Sequence, residues 1–190
     1  LGITGSMSSG KTTVAKFISH KKFPLFSADK IVSDLYKNKK FINKITKKLK
    51  LNSRRKIKDQ IRILVKKDKK RINIIESIIH PFVRKKMKQF LKKKNKVIVL
   101  EIPLLFESKL MNYFDVIVFV NAKKQLRLRR YLKKNNDKKI FNLLNRRQIL
   151  PTKKIKMSDH VINNNKSLSV LKNSVKKIIK LYEWNIFRYR

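Results

Sequence analysis

The chain contains only three glycines, and two of them, Gly5 and Gly10, fall within residues 4–13, "TGSMSSGKTT". A short apolar run, "LGIT", precedes this stretch and a helix-forming run, "TTVAKFISH", follows it. In that setting the match to G-x-x-x-x-G-K-[ST] is a phosphate-binding loop, which commits the chain to a strand, a tight turn and a helix in succession. Gly5 and Gly10 let the backbone turn, and Ser6, Met7, Ser8 and Ser9 present successive N–H groups to a phosphate at the positive end of the following helix. Lys11 is placed to reach the β- and γ-phosphates of a nucleoside triphosphate. The Thr12 hydroxyl, followed by Thr13, is placed to meet Mg²⁺. The competing reading is a glycine turn before a capped helix, and the scarcity of glycine elsewhere weighs against it.

The remaining apolar runs extend this beginning into an α/β pattern. "FPLFSA" at 23–28, "VIVLEI" at 97–102 and "DVIVFV" at 115–120 read as strands, with "HVIN" at 160–163 as a weaker fifth. Runs that are apolar without alternation suit strands buried on both faces, as in a parallel sheet. Helical periodicity occupies "IRILVKK", "NIIESIIHPFVRKKMKQFL" with its Pro81, and "SLSVLKNSVKKIIKLYEWNIF". Strands alternating with helices predict βαβ units. Residues 33–96 are a helical excursion longer than one crossover requires. Residues 122–157 are a second, very basic helical segment broken at Pro151. Inserts at strand ends are candidate substrate and lid elements, because ligands bind beyond the carboxyl ends of such strands.

Composition narrows the class less than its extremes suggest. Lys and Arg number 52 against 11 acids, for a formal charge of +41, which invites a nucleic-acid reading. The charge is nevertheless spread through almost every segment, and Asn is abundant beside it. A proteome that favours Lys, Asn and Ile produces the same pattern. With 190 residues, 42% of them hydrophobic, the chain can bury the core of one domain. The absence of cysteine excludes disulfides and thiolate metal sites. No apolar run approaches the roughly 20 residues of a membrane helix, and the glycine motif follows the first residues at once, so a cytoplasmic protein without a signal peptide is expected. Leu1 is not Met, and a residue or two ahead of the first strand is expected to be missing.

The few acids bear on which nucleotide enzyme this is. A phosphate loop serves GTPases, motor ATPases and small-molecule kinases alike, but no N-K-x-D signature follows the later strands, and a motor would need a larger core. A small kinase needs a carboxylate near the acceptor hydroxyl, a magnesium-supporting acid at a strand end and cations over the phosphates. Asp29, in "FSADKIV", is a candidate for the first role, and a helix N-cap is its structural alternative. Glu101 ends "VIVLE", where an acid that holds Mg²⁺ through water belongs. His80 and Arg84, four apart in "IIHPFVR", share a helix face.

Together, "GITGSMSSGKTTVA", "SADKIV", "IIHPFVR", "EIPLLFE" and "SDHVINN" resemble the dephospho-CoA kinases in order and interval over nearly the whole chain. The resemblance implies a three-layer P-loop core with a parallel five-stranded sheet, formed by residues 1–32, 97–121 and 158–190. It further implies a helical acceptor-binding insert at 33–96 and a helical lid at 122–157. The implied reaction moves the γ-phosphate of ATP, with Mg²⁺, to the ribose 3′-hydroxyl of dephospho-CoA, completing coenzyme A. By position, Asp29 becomes the base, with Lys11 acting on the phosphates. His80, Arg84 and Glu107 become acceptor ligands, Thr12 and Glu101 the metal-side pair, and Arg129 a nucleotide contact.

Several positions depart from the family pattern. Ser6 and Ser8 replace glycines, which restricts positive φ. Ser27 replaces an acid, and Glu101 replaces the Asp before I-P-L-L. An arginine pair spaced by four falls on Arg129 and Lys133, and a slip of one residue would move its first member to Arg130. Lys supplies charge but no bidentate fork. The rival readings are another small-molecule or nucleoside monophosphate kinase, which leaves H-P-x-x-R without a purpose, and a basic nucleic-acid-binding P-loop protein. The expected partners are ATP and dephospho-CoA, with no specific nucleic acid, no membrane and a monomeric state.

Overall fold

The computed structural model describes residues 1–188 except Lys21, Ser53, Arg54, Lys69, Lys94, Lys96 and Asn136. It divides into two compact units, Leu1–Ser27 with Lys94–Arg190, and Ala28–Lys93.

The first unit is built on a parallel sheet. It opens with β1 (Gly2–Gly5), α1 (Lys11–Ser19) and β2 (Leu25–Ser27). In the second unit follow α2 (Ala28–Leu35), α3 (Lys39–Leu49), α4 (Ile57–Lys67) and α5 (Arg71–Leu91). The chain then supplies β3 (Val99–Glu101), β4 (Ile117–Asn121), α6 (Lys124–Asn135) and α7 (Lys138–Arg146). It closes with α8 (Pro151–Lys156), β5 (His160–Asn163) and α9 (Leu168–Arg188). The five strands lie in the order β2-β3-β1-β4-β5, all parallel.

Burial on both faces explains the unalternating apolar runs. Ile3, Val118, Val120 and Ile162 pack with Val14 and Ile18 of α1 and with Leu171 and Val175 of α9. The intervening Leu100 and Phe119 are equally buried. Removing such side chains from water, at about 25 cal/mol per Å² of apolar surface, is what holds the sheet between its layers. Because β1 lies between β3 and β4, the loop after Gly5 emerges where successive strands have gone to opposite sides. That is the crevice in which doubly wound sheets bind ligands.

The strands are shorter than the apolar runs that predicted them, and the cause is local. The N–H of Phe23 caps α1 by donating to Ser19 O at 3.0 Å, and Ala28 already begins α2, so only Leu25–Ser27 is left to pair. Ile117 N–H donates to the Asp159 carboxylate at 2.7 Å, and pairing starts there rather than at residue 115.

The second unit has its own core. Phe41, Ile45 and Leu49 of α3 are buried, as are Ile72, Ile75, Ile78 and Met87 of α5. Phe41 presents edge-to-face geometry to Tyr36 at 5.4 Å and to Phe82 at 5.8 Å. Helix α5 runs through Pro81, which has no N–H to offer the preceding turn. This compact unit begins at Ala28, five residues before the insert expected from residue 33. Helix α2 is amphipathic and packs on α5, which carries Asp29 into the helical unit. Residues 122–157, expected as a lid, group with the sheet, and α8 packs on β4.

Candidate active site

The loop between β1 and α1 has the shape its sequence demands. Gly10 adopts φ 99°, and a Cβ there would run into Asn164 Nδ2. At Gly5 a Cβ would strike the backbone oxygen of Val120, which cannot rotate away. Of the two serines that replace glycines, Ser8 takes a left-handed φ of 58°, a conformation that costs a non-glycine residue roughly 1–2 kcal/mol. Ser6 and Ser9 are buried, and Ser9 N–H closes the turn onto Ser6 O at 3.1 Å. The Lys11 ammonium donates to Ser6 O at 3.1 Å and is therefore held within the loop. Met7, Ser8 and Thr13 are half-buried beside it.

At the start of α1 the exposed Thr12 hydroxyl donates to Glu101 Oε1 at 2.5 Å, and Ser27 Oγ donates to Glu101 Oε2 at 2.8 Å. Glu101, at the end of β3, is 1% exposed, and its carboxylate is held by these two hydroxyls, one at the start of α1 and one at the end of β2. A hydroxyl that gives its proton to a carboxylate keeps its lone pairs for a cation. One hydroxyl with a nearby carboxylate acting through water, completed by phosphate oxygens, is a donor set that fits Mg²⁺. Among the described residues no group of three or more His, Asp or Glu forms a metal cage.

Residues of 122–157 grip the outside of the loop. Arg127, 3% exposed, donates from Nη1 to Met7 O at 3.4 Å and to Asn145 Oδ1 at 2.8 Å. Met7 N–H donates to Gln148 Oε1 at 3.1 Å. Arg130 reaches Ser9 O at 3.4 Å and Asn164 O at 3.0 Å, and Asn164 Nδ2 donates to the same Ser9 O at 2.8 Å. Arg129 and Lys133, by contrast, point to solvent. Of Arg129 and Arg130, the structure brings Arg130 to the loop.

Glu107 is tied to the segment after α7. Its Oε1 accepts from Ile149 N–H at 3.0 Å and lies 2.6 Å from Lys154 Nζ, whose side chain is wholly buried. Glu107 Oε2 has no hydrogen-bond partner among the described residues.

The helical unit carries the other predicted residues. Asp29 is exposed in the first turn of α2, inside the helix, so it is not the N-cap that was its structural alternative. His80 is half-buried and Arg84 exposed, one turn apart on α5.

Arg127, Asn145, Gln148 and Asn164 were not singled out in the sequence. A signal existed for one of them: Arg127 and Tyr131 are four apart and are the buried positions of α6, an arginine on the inward face of a helix with few apolar residues.

The comparisons with known proteins decide the family. A profile of the family described as "Dephospho-CoA kinase" matches residues 1–169. The chain belongs to the dephospho-CoA kinase family. It is similar to the dephospho-CoA kinase of Fusobacterium nucleatum, with 32% identity over 93% of this chain and 95% of that one. It is likewise similar to the dephospho-CoA kinase of Bartonella henselae, with 34% identity over 95% of this chain and 96% of that one. Among solved structures, the dephospho-CoA kinase from Campylobacter jejuni superposes with a TM-score of 0.64 at 28% identity, covering 94% of each chain. A shikimate kinase from Bacteroides thetaiotaomicron shares the fold, with a TM-score of 0.55 at 16% identity over 96% of each chain. The chain is therefore a phosphotransferase with the α/β fold of P-loop kinases and a five-stranded parallel sheet. Among the described residues, no helix is long and apolar enough to cross a membrane.

Proposed function

We propose that the chain transfers the γ-phosphate of ATP to the ribose 3′-hydroxyl of dephospho-CoA, giving coenzyme A and ADP. The observation that carries this reading is the phosphate loop with Thr12 bonded to a buried Glu101, in a chain of this family. Gly5 to Gly10 would enclose the β-phosphate with their N–H groups, and Lys11 would exchange Ser6 O for phosphate oxygens. Mg²⁺, when bound, supplies charge neutralisation at the β- and γ-phosphates. Thr12 would hold it directly, and Glu101 through water and by orienting Thr12.

Asp29 is the candidate base. It is exposed, it belongs to the "SADKIV" motif, and it follows Ser27, a partner of Glu101, by two residues. His80 and Arg84 share a face of α5 and offer an imidazole and a guanidinium to an anionic acceptor. Glu107, tied to Ile149 and Lys154, would act on the acceptor side by shaping the loop after β3. Arg130 takes the nucleotide role first considered for Arg129, because it reaches the loop.

The test is to incubate the protein with Mg·ATP and dephospho-CoA and follow both products by mass, with adenylate and ribonucleosides as parallel acceptors and Lys11→Ala as control. Formation of coenzyme A that the control lacks is the expected result. Transfer to another acceptor alone would overturn the acceptor assignment, and no transfer at all would overturn the reading.

A further inference from the structure

Among the described residues, Arg127 is a buried cation without an acidic partner. Its side chain is 3% exposed, and its donors meet Ala122 O at 3.1 Å, Asn145 Oδ1 at 2.8 Å and Met7 O at 3.4 Å, all of them neutral. The guanidinium lies 5.9 Å from the Phe141 ring centroid, a further neutral partner. Among the described residues no carboxylate pairs with it. Burial lowers its pKa from the ordinary guanidinium value. Removing a charge from water in this way is costly unless a counter-charge or a full set of hydrogen bonds offsets it.

Two facts about its neighbourhood suggest where the counter-charge comes from. The cation sits on the phosphate loop itself, at the carbonyl of Met7, while the N–H of the same residue is held by Gln148. Among the described residues, Lys11 and Arg130 also contact the loop, the first donating to Ser6 O and the second to Ser9 O. Three positive groups thus converge on one loop, and a polyanion seated there is their common partner.

We infer that Arg127 is a positioning residue for ATP: it fixes the Met7 turn through the carbonyl, and its charge is balanced when the polyphosphate occupies the loop. The inference rests on the kinase reading above and adds to it a residue that does not itself touch the reacting atoms. A merely structural Arg127 would support the adenosine and the phosphate parts of the nucleotide equally. A residue acting on the phosphates would not.

The experiment compares Arg127→Met, which keeps length without charge, with Arg127→Lys, which keeps charge without the fork. Dissociation constants for Mg·ATP are measured by calorimetry at two ionic strengths, and those for adenosine by ligand-observed NMR. Arg127→Met is expected to weaken Mg·ATP about tenfold, in line with the loss of a charge-assisted contact, to reduce the salt dependence and to leave adenosine unchanged. Arg127→Lys is expected to fall between Arg127→Met and the unmodified protein. Wild-type affinity for Mg·ATP in Arg127→Met would overturn the inference, as would an equal loss for adenosine. Should Arg127→Met fail to fold, Asn145→Ala, which frees Nη1, is expected to weaken Mg·ATP about threefold on the same logic, and an unchanged affinity would overturn the inference. Failure of the unmodified protein to bind Mg·ATP would remove the kinase reading itself, a result the variants do not enter.

Discussion

The hydroxyl of Thr12 donates to Glu101 Oε1 at 2.5 Å across 89 residues of sequence. The second carboxylate oxygen is held by Ser27 at 2.8 Å, so Glu101 is fixed at both ends. Converting Glu101 to Gln turns one oxygen into an NH₂ donor and removes the charge that orients Thr12. The Mg²⁺ concentration for half-maximal rate is expected to rise about tenfold, while metal-free ATP binding stays the same. A magnesium titration of the steady-state rate checks this, and an unchanged midpoint would assign Glu101 to structure alone.

Asp29 lies inside the first turn of α2, where a carboxylate near the positive end of the helix contributes only about 0.3–1 kcal/mol. Stability should therefore barely move in Asp29→Asn. Turnover should fall by about 10²–10⁴, the range of a lost general base, with ATP affinity retained. Single-turnover transfer alongside a thermal melt separates the two effects. Full turnover would reduce Asp29 to a first-turn acid.

Ser8 and Gly10 both have positive φ, at 58° and 99°, yet only one should tolerate exchange. Ser8→Gly removes left-handed strain but adds freedom to the unfolded chain, so stability is expected to change by no more than about 1 kcal/mol. Gly10→Ala adds strain and drives a methyl into Asn164, and is expected to cost more than about 2 kcal/mol and to abolish ATP binding. Urea denaturation with and without nucleotide reads both.

Lys154, fully buried, faces Glu107 at 2.6 Å. Replacing Lys154 by Met strands a carboxylate that is itself only 16% exposed, and a loss of roughly 3–5 kcal/mol is expected. Adding Glu107→Gln should recover much of it, because the amide oxygen still accepts from Ile149 N–H. A double-mutant cycle in denaturant measures the coupling, and purely additive losses would show that the pair contributes no interaction of its own.

The phosphate loop was legible because its constraints are local: two glycines, a lysine and a hydroxyl at fixed spacing need no distant partner to be recognised. The strands were legible as apolar runs, although their ends were not. Phe23 is claimed by the α1 cap, and Ala28 by a helix whose packing partner, α5, begins 43 residues later in the chain. The clamp on Met7 was not legible. Asn145 and Gln148 stand in a segment so rich in Lys, Arg and Asn that neither differs from its neighbours until the backbone turns it inward, and Arg127 is marked there only by its spacing of four to Tyr131. Ser27 was seen only as a departure from a family pattern, and its link to Glu101 depends on two strands lying side by side.

The brace between Asn164 and Ser9 spans 155 residues. On a ribosome the phosphate loop is made ahead of β3, β4 and β5, yet its strand must wait for β3 and β4 on either side, and Ser9 must wait for the turn after β5. Closing loops of that size is slow relative to forming local helices. The helical unit Ala28–Lys93, compact in itself, can assemble while β1 is still unpaired. The nucleotide site is thus begun before its braces exist, and a chain stalled short of residue 164 has every residue of the G-x-x-x-x-G-K-T motif but lacks the side chain that braces it.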